Sequence, residues 1–459
     1  MPITQASMTR TLGRGRRDPL FLGDLYIVLL GVVLLGYAVM GKGFAYLGFP
    51  PLYVGEIAFL GGIVVFLRTG AGVGAIATMP AVLLFALMVL VITRTLPFVG
   101  LYGFDALRDS VIVIYGGFAF ILIGLLLEDA RRIDITLRYY RVMLASLPAM
   151  FAGSLLFKYW GDDIPRLYGP VPIVDVGPSA VGTHLAGAMV FVLIGYSKVS
   201  VVWLAIWFAT LGLVGVTNRG AILAAVVPVA IAMLALGRYR LMLASVVVSV
   251  GVFAALLTLE SAFGHFEEAK DSIDRPLSAH QIFENVKSIV GQSGSQAEGT
   301  KQWRINWWDI IINDTIRGPN FWTGRGFGLN LADADGFAGT QQGPPTRSPH
   351  SAHMTMLARA GIPGLVLWLL LLASWFVTMT RALLMARGHG HERWAELFIF
   401  IVCYELAILI NATFDVALEG PMQGVWFWCL FGFGVGSVMI YRAQLFNERR
   451  QQVSDELSI

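Results

Sequence analysis

The chain has 459 residues, of which 56% are hydrophobic and only 14% charged, and its mean hydropathy is +0.69. Soluble domains carry about 45–50% apolar and about 25% charged residues, so composition excludes an ordinary soluble fold, a disordered chain and a secreted disulfide scaffold. The net charge of +3, from 33 basic and 30 acidic residues, offers no basic surface for nucleic acid.

Apolar stretches long enough to cross a bilayer as helices recur from end to end. They predict an all-α polytopic membrane protein of about twelve spans, near 22–40, 52–67, 78–93, 110–127, 138–157, 179–196, 199–216, 219–236, 241–259, 352–378, 394–413 and 421–440. Arg10, Arg14, Arg16 and Arg17 precede the first span like a signal-peptide n-region. That span is too long for a cleaved signal and lacks a small-residue cleavage site, so it reads as a retained anchor. With the N-terminus inside, the inner segments hold 18 Lys and Arg and the short outer segments hold 7. Cytoplasmic loops carry such an excess, which predicts cytoplasmic tails at 1–21 and 441–459.

Between the blocks of spans at 22–259 and 352–440 lies one long outer loop, 260–351. Loops of that length are usually functional or disordered, and Trp303, Trp307, Trp308 and Trp322 argue for structure. Ile282, Phe283, Val286, Ile289 and Val290 share a helical face, predicting an amphipathic helix over 278–290. A second helix is expected over 301–316, with Arg304, Trp308, Ile311 and Thr315 on one stripe. Gly318-Pro319 stops it, and the Gly-rich run Gly324-Arg325-Gly326-Phe327-Gly328 follows.

Titratable residues gather at the outer span ends. Arg219 lies in the turn Thr217-Asn218-Arg219-Gly220, Arg304 on the second loop helix, and Arg108-Asp109 at the opening of the 110–127 span. Each arginine reads either as a snorkelling or solvated cation or as an anion ligand. His350, immediately before the 352–378 span, reads as a helix-entry residue or as a proton acceptor, since only His titrates near neutrality without perturbation. His353, one turn on, reads as packing or support. Glu56, His184 and Glu405 inside spans are costly in lipid and are candidates on that ground, although His184 and Glu405 could equally be interhelical hydrogen-bond partners. Asp415 and Glu419 read as solvated.

Other signals are negative. Cys403 and Cys429, the only cysteines, lie in apolar runs without CxxC spacing and read as small buried hydrophobes. No nucleotide-binding P-loop and no HExxH is present. Asp333-Ala334-Asp335 imitates the DxD of nucleotide-sugar transferases, but it lies in an outer loop while nucleotide sugars are cytoplasmic. No cofactor or metal is expected. Gly432, Gly434 and Gly436 read as helix packing.

Three segments together resemble the O-antigen ligase and polymerase family of bacterial membrane glycosyltransferases. They are Thr217-Asn218-Arg219-Gly220-Ala221; Arg304 through Trp308 and Pro319 to Thr323-Gly324-Arg325-Gly326-Phe327-Gly328; and His350-Ser351-Ala352-His353 followed by Leu357, Gly361 and Gly364. The resemblance covers about 105–440, and its specificity lies in the order and spacing of the segments. One departure is Ser351, where the family usually has Asn. The resemblance implies transfer of glycan from an undecaprenyl-diphosphate carrier to a further repeat unit or a lipid A core, at the periplasmic face of the inner membrane, without nucleotide or metal. On that expectation Arg219 and Arg304, with Arg108 as a weaker candidate, hold the diphosphate and His350 is the general base. His353, His184 and Trp308 support them, the loop tryptophans offering faces to sugar rings or the polyprenyl chain. Other assembly proteins are possible partners. The reading leans to polymerisation of a surface polysaccharide. A secondary transporter or flippase of lipid-linked saccharide is the competing class, since twelve spans is a common count there. It predicts paired half-chain repeats, which the sequence does not show. A non-enzymatic scaffold would tolerate alanine at Arg219, Arg304 and His350.

Overall fold

The computed structural model describes residues 19–161, 163–168, 171–263, 282, 285, 295–338 and 346–457. The predicted helix over 278–290 falls outside these, apart from Ile282 and Asn285.

The described chain is almost wholly helical. Its longer helices, numbered in chain order, are α1 (Pro19–Met40), α2 (Val54–Arg68), α3 (Met79–Tyr102), α4 (Phe104–Ile114), α5 (Gly117–Glu128), α6 (Arg132–Ala145) and α7 (Leu147–Trp160). There follow α8 (Pro178–Leu193), α9 (Val201–Thr217), α10 (Arg219–Ala235), α11 (Tyr239–Phe263), α12 (Ser295–Ile312), α13 (Ala352–Gly388), α14 (Glu392–Phe414) and α15 (Pro421–Leu457). Two antiparallel hairpins, Gly48–Phe49 with Leu52–Tyr53 and Arg166–Tyr168 with Val171–Pro172, are the strands.

A helix or a bent pair of helices lies at each of the twelve expected positions. Six of them are long and apolar enough to cross a membrane, or eight if α4 with α5 (bent 41°) and α6 with α7 (bent 46°) each make one span. The apolar helices α8, α9 and α10 are shorter. The chain is thus an all-α polytopic membrane protein. Length and composition support six to eight spans and do not establish the expected twelve.

Small residues let the helices close. A Cβ on Gly182 of α8 would lie 2.6 Å from the Ala221 carbonyl of α10, and one on Gly432 of α15 would lie 2.4 Å from that of Ala119 on α5. These contacts bring α8 against α10 and α15 against α5, so the glycines of the last helix serve packing as expected. In an apolar interior an indole N–H must find an acceptor inside the protein. Trp426, Trp428 and Trp375 donate to the carbonyls of Leu34, Ile112 and Phe431. Cys403 and Cys429 are free and buried.

Helix ends expected on one side meet at one end of the bundle. Gly41 bridges to Asp175, Ser179 bonds Asp415, and Gly328 bonds Asp109. At the opposite end the fully buried Arg132 joins Asp24 of α1 at 2.8 Å and Glu128 at 2.5 Å.

The described part of the loop has a small core of its own, in which Trp307, Ile311, Leu331 and Ala332 pack on Leu357 and Ala358 of α13. As expected, α12 runs on to Gly318, with its last five residues, Asn313–Arg317, in a π-helical turn. The Gly-rich run then docks on a break in α13. There Gly361 has φ 68° and Pro363 has no N–H to give to the Arg359 carbonyl. The carbonyls of Ala358 and Arg359 instead accept from Arg325 and Gly326, and Ile362 donates to Phe321. Gly324, at φ 63°, approaches so closely that a Cβ would lie 2.4 Å from the Arg359 backbone.

Candidate active site

Helix ends place each functional side chain. Asn218 caps α10, its side chain accepting from the Ala221 N–H at 3.1 Å, so Arg219 is the first helical residue. Ser351 caps α13 by accepting from Met354. Ser and Asn cap helices about equally well, so Ser351 serves this helix start as an Asn there would. His350, just outside the cap, has φ 52° and is the one non-glycine residue with positive φ among those described. Such a backbone costs about 1–2 kcal/mol for an L-residue and concentrates at functional sites.

His350 Nδ1 lies 3.4 Å from Oδ1 of Asp415, in the turn between α14 and α15. Trp303 packs edge-on to the imidazole at 5.8 Å between ring centroids. The Trp308 indole donates to the Pro349 carbonyl at 2.8 Å and so fixes the residue before the histidine. Ser179, at the start of α8, donates to the other oxygen of Asp415. Burial pushes the Asp415 carboxyl up, but the His350 and Ser179 hydrogen bonds, the His350 charge and the Val416 N–H together hold it below the ordinary carboxylate value. Asp415 is therefore a partner of His350 and not the solvated residue that the sequence suggests.

Arg304 projects from α12 towards the same place. Burial pulls its guanidinium below the ordinary value, Asp415 opposes that, and the nearby Arg219 cation adds to it. Its buried Nε has no hydrogen-bond partner among the described residues. Arg304 thus lies within electrostatic reach of both Asp415, the partner of His350, and Arg219. A buried guanidinium with an unpartnered Nε suits an anion, and the fork geometry of arginine suits phosphate oxygens. With Nδ1 turned to Asp415, His350 Nε2 is the ring nitrogen left to take a proton.

The remaining predicted residues lie in other surroundings. Arg108 pairs with Asp105 at 3.3 Å and Asp109 at 3.7 Å. It joins a second cluster in which Asp109 also meets Arg359 at 2.9 Å, Arg347 at 3.4 Å and the Gly328 N–H at 3.1 Å. His353 has both nitrogens engaged, with the Trp368 indole and the Thr413 hydroxyl. His184 is buried deeper in the bundle and hydrogen-bonds Tyr404 at 2.6 Å, the interhelical reading. Glu56 accepts from Tyr115 and from the Tyr53 N–H. Both carboxyl oxygens of the buried Glu405 have no partner among the described residues. Asp335 of the DxD-like segment is held by Arg325 at 2.5 Å and by the Trp307 indole at 2.7 Å. Glu419 accepts from Thr355 at 2.6 Å, and burial raises its carboxyl above the ordinary value. It too is not the solvated residue expected.

The contacts around His350 that the sequence did not give are thus those of Asp415, of Ser179 behind it, and of Trp303, named there only as one of the loop tryptophans. A carboxylate after an apolar helix on the loop side was the one available signal for Asp415. No curated protein matches the sequence. Residues 204–369, the stretch that carries Arg219, Arg304 and His350, match the family model described as O-antigen ligase, which supports the resemblance seen in the sequence.

Proposed function

We propose that the chain is a glycosyltransferase that moves glycan from an undecaprenyl-diphosphate carrier to an acceptor hydroxyl, at the periplasmic face of the bacterial inner membrane. The observation that supports this most is Arg304, whose buried Nε has no partner among the described residues and which lies within electrostatic reach of Arg219 and of Asp415 in the His350–Asp415 pair. In this reading the acceptor oxygen attacks the anomeric carbon while the bond from that carbon to the diphosphate oxygen breaks. The electron pair leaves with the diphosphate, whose charge Arg219 and Arg304 neutralise. The hydroxyl proton passes to Nε2 of His350, and Asp415 holds the imidazolium that results. A single displacement inverts the anomeric centre. The two guanidinium groups supply the positive charge, so the reaction runs without nucleotide or added metal. Both termini are cytoplasmic in this arrangement, as the inner excess of Lys and Arg suggests.

The test uses the purified protein, a lipid-linked repeat unit, and wild type beside His350→Ala, with and without lipid A core and with EDTA throughout. Products are resolved by gel and mass spectrometry. We expect wild type to consume the donor and folded His350→Ala to lose about 10²–10⁴ of the rate, the usual contribution of a general base. A ladder growing on the carrier identifies a polymerase, and glycan on the core alone a ligase. Donor left intact by wild type under all conditions, or a retained anomeric configuration, overturns the proposal.

A further inference from the structure

On the flank of α3, at the loop end of the bundle, lies a groove that the transferase reading does not use. Its walls are Thr93, Arg94, Pro97 and Phe98 from α3 and Thr323 and Gly324 from the loop. The neighbouring face of the helix is exposed and apolar, with Val89 45%, Ile92 42% and Leu96 63% accessible. In a polytopic membrane protein such a face meets lipid. A charge among such residues is costly and ordinarily either pairs or marks a site. Among the described residues Arg94 gives one hydrogen bond, from Nη2 to the Trp322 carbonyl at 3.1 Å. Arginine has five N–H donors, and none of the described residues lining the groove is acidic. Pro97 inside α3 has no N–H, so the Thr93 carbonyl on the same wall lacks its usual helical donor. The groove thus sets guanidinium donors beside a carbonyl acceptor.

Depth fits the boundary of a bilayer. Arg94 lies eight residues before the end of α3, about 12 Å along the axis. A 24-residue helix is about 36 Å long against a hydrocarbon core of about 30 Å, which puts a snorkelling arginine there near the headgroups. Trp322 beside it is 69% exposed, as an interfacial anchor would be.

We infer that this groove binds one glycerophospholipid, its phosphodiester on Arg94, its headgroup hydroxyl or ammonium on the Thr93 carbonyl, and an acyl chain along Val89, Ile92 and Leu96. Gly324 of the groove is also the residue that docks on the break in α13. A lipid here braces the Gly-rich run from the outside.

Native mass spectrometry of the purified full chain tests this. The probes are phosphatidylglycerol, diacylglycerol, inorganic phosphate and undecaprenyl phosphate. The variants are Arg94→Gln and Thr323→Trp, the second filling the groove while leaving the Arg94–Trp322 bond intact. We expect wild type to hold phosphatidylglycerol about tenfold more strongly than either variant, the scale of one lost charge-assisted hydrogen bond. Diacylglycerol is not retained and inorganic phosphate does not compete. Equal retention by wild type and both folded variants overturns the assignment. So does displacement by inorganic phosphate, or a preference for undecaprenyl phosphate. If neither variant folds, thermal unfolding of wild type decides: phosphatidylglycerol must raise the midpoint and diacylglycerol must not.

Discussion

Two groups of arginines lie at the loop end of the protein, and they differ in the charges that surround them. Arg325 is held between Asp314 at 2.7 Å and Asp335 at 2.5 Å. Arg359, fully buried, meets Asp109 at 2.9 Å and faces the carbonyls of Gly326 and Leu329. Such arginines tie the Gly-rich run to α4, to the end of α12 and to α13 through carboxylates and carbonyls. Arg304 has a buried Nε without a partner among the described residues and another cation, Arg219, as a neighbour. The lesson is that the neighbours of an arginine, a carboxylate at hydrogen-bond distance or a second cation close by, separate those that build the fold from one suited to an anion.

The first way to break this distinction is Asp109→Ala, which strands Arg359 as a buried charge. Removing one partner of a buried pair costs about 3–5 kcal/mol, so thermal unfolding in detergent should fall steeply, and the donor KM of the surviving folded fraction should not change. An altered KM with intact stability would merge the two groups. Arg304→Lys is the complementary test. It keeps the charge and loses the fork, so the donor KM should rise about tenfold with little change in the unfolding midpoint. The same change at Arg359 should do the reverse. Asp415→Asn sharpens the comparison on the pH axis. The folded carboxyl of Asp415 lies below its ordinary value, so its stabilisation is complete above that value and is lost as pH falls through the lowered one. The stability lead of wild type over Asp415→Asn, read from unfolding midpoints, should therefore be largest near neutrality and shrink in acid. A lead that grows on acidification contradicts the pairing.

Local signals carried much of this into the sequence. A helix lies at every apolar run, the turn at Thr217–Gly220 became a capped helix start, and Gly318 ended the second loop helix where expected. His350 and Arg304 were legible as residue types at element ends. Asp415 was not, because it reaches His350 across 65 residues and nothing around it distinguishes a paired carboxylate from a solvated one. The Asp109 cluster was hidden for the same reason, since Arg108 was visible as a cation while its acceptors depend on how α4, the loop and α13 come together. The number of crossings also stayed open: α8, α9 and α10 are helices of 16 or 17 residues, shorter than about 20 residues that span a bilayer unaided.

The break at Gly361 leaves the first turns of α13 fastened on two sides. Ala352, Met356 and Ala360 pack in the membrane bundle, and His353 and Thr355 reach Thr413 and Glu419. Leu357 and Ala358 sit in the loop's own core, and the carbonyls of Ala358 and Arg359 accept from the Gly-rich run. The turn that carries His350 is therefore a rivet through both layers, and the imidazole keeps its place only while loop and bundle stay pinned together.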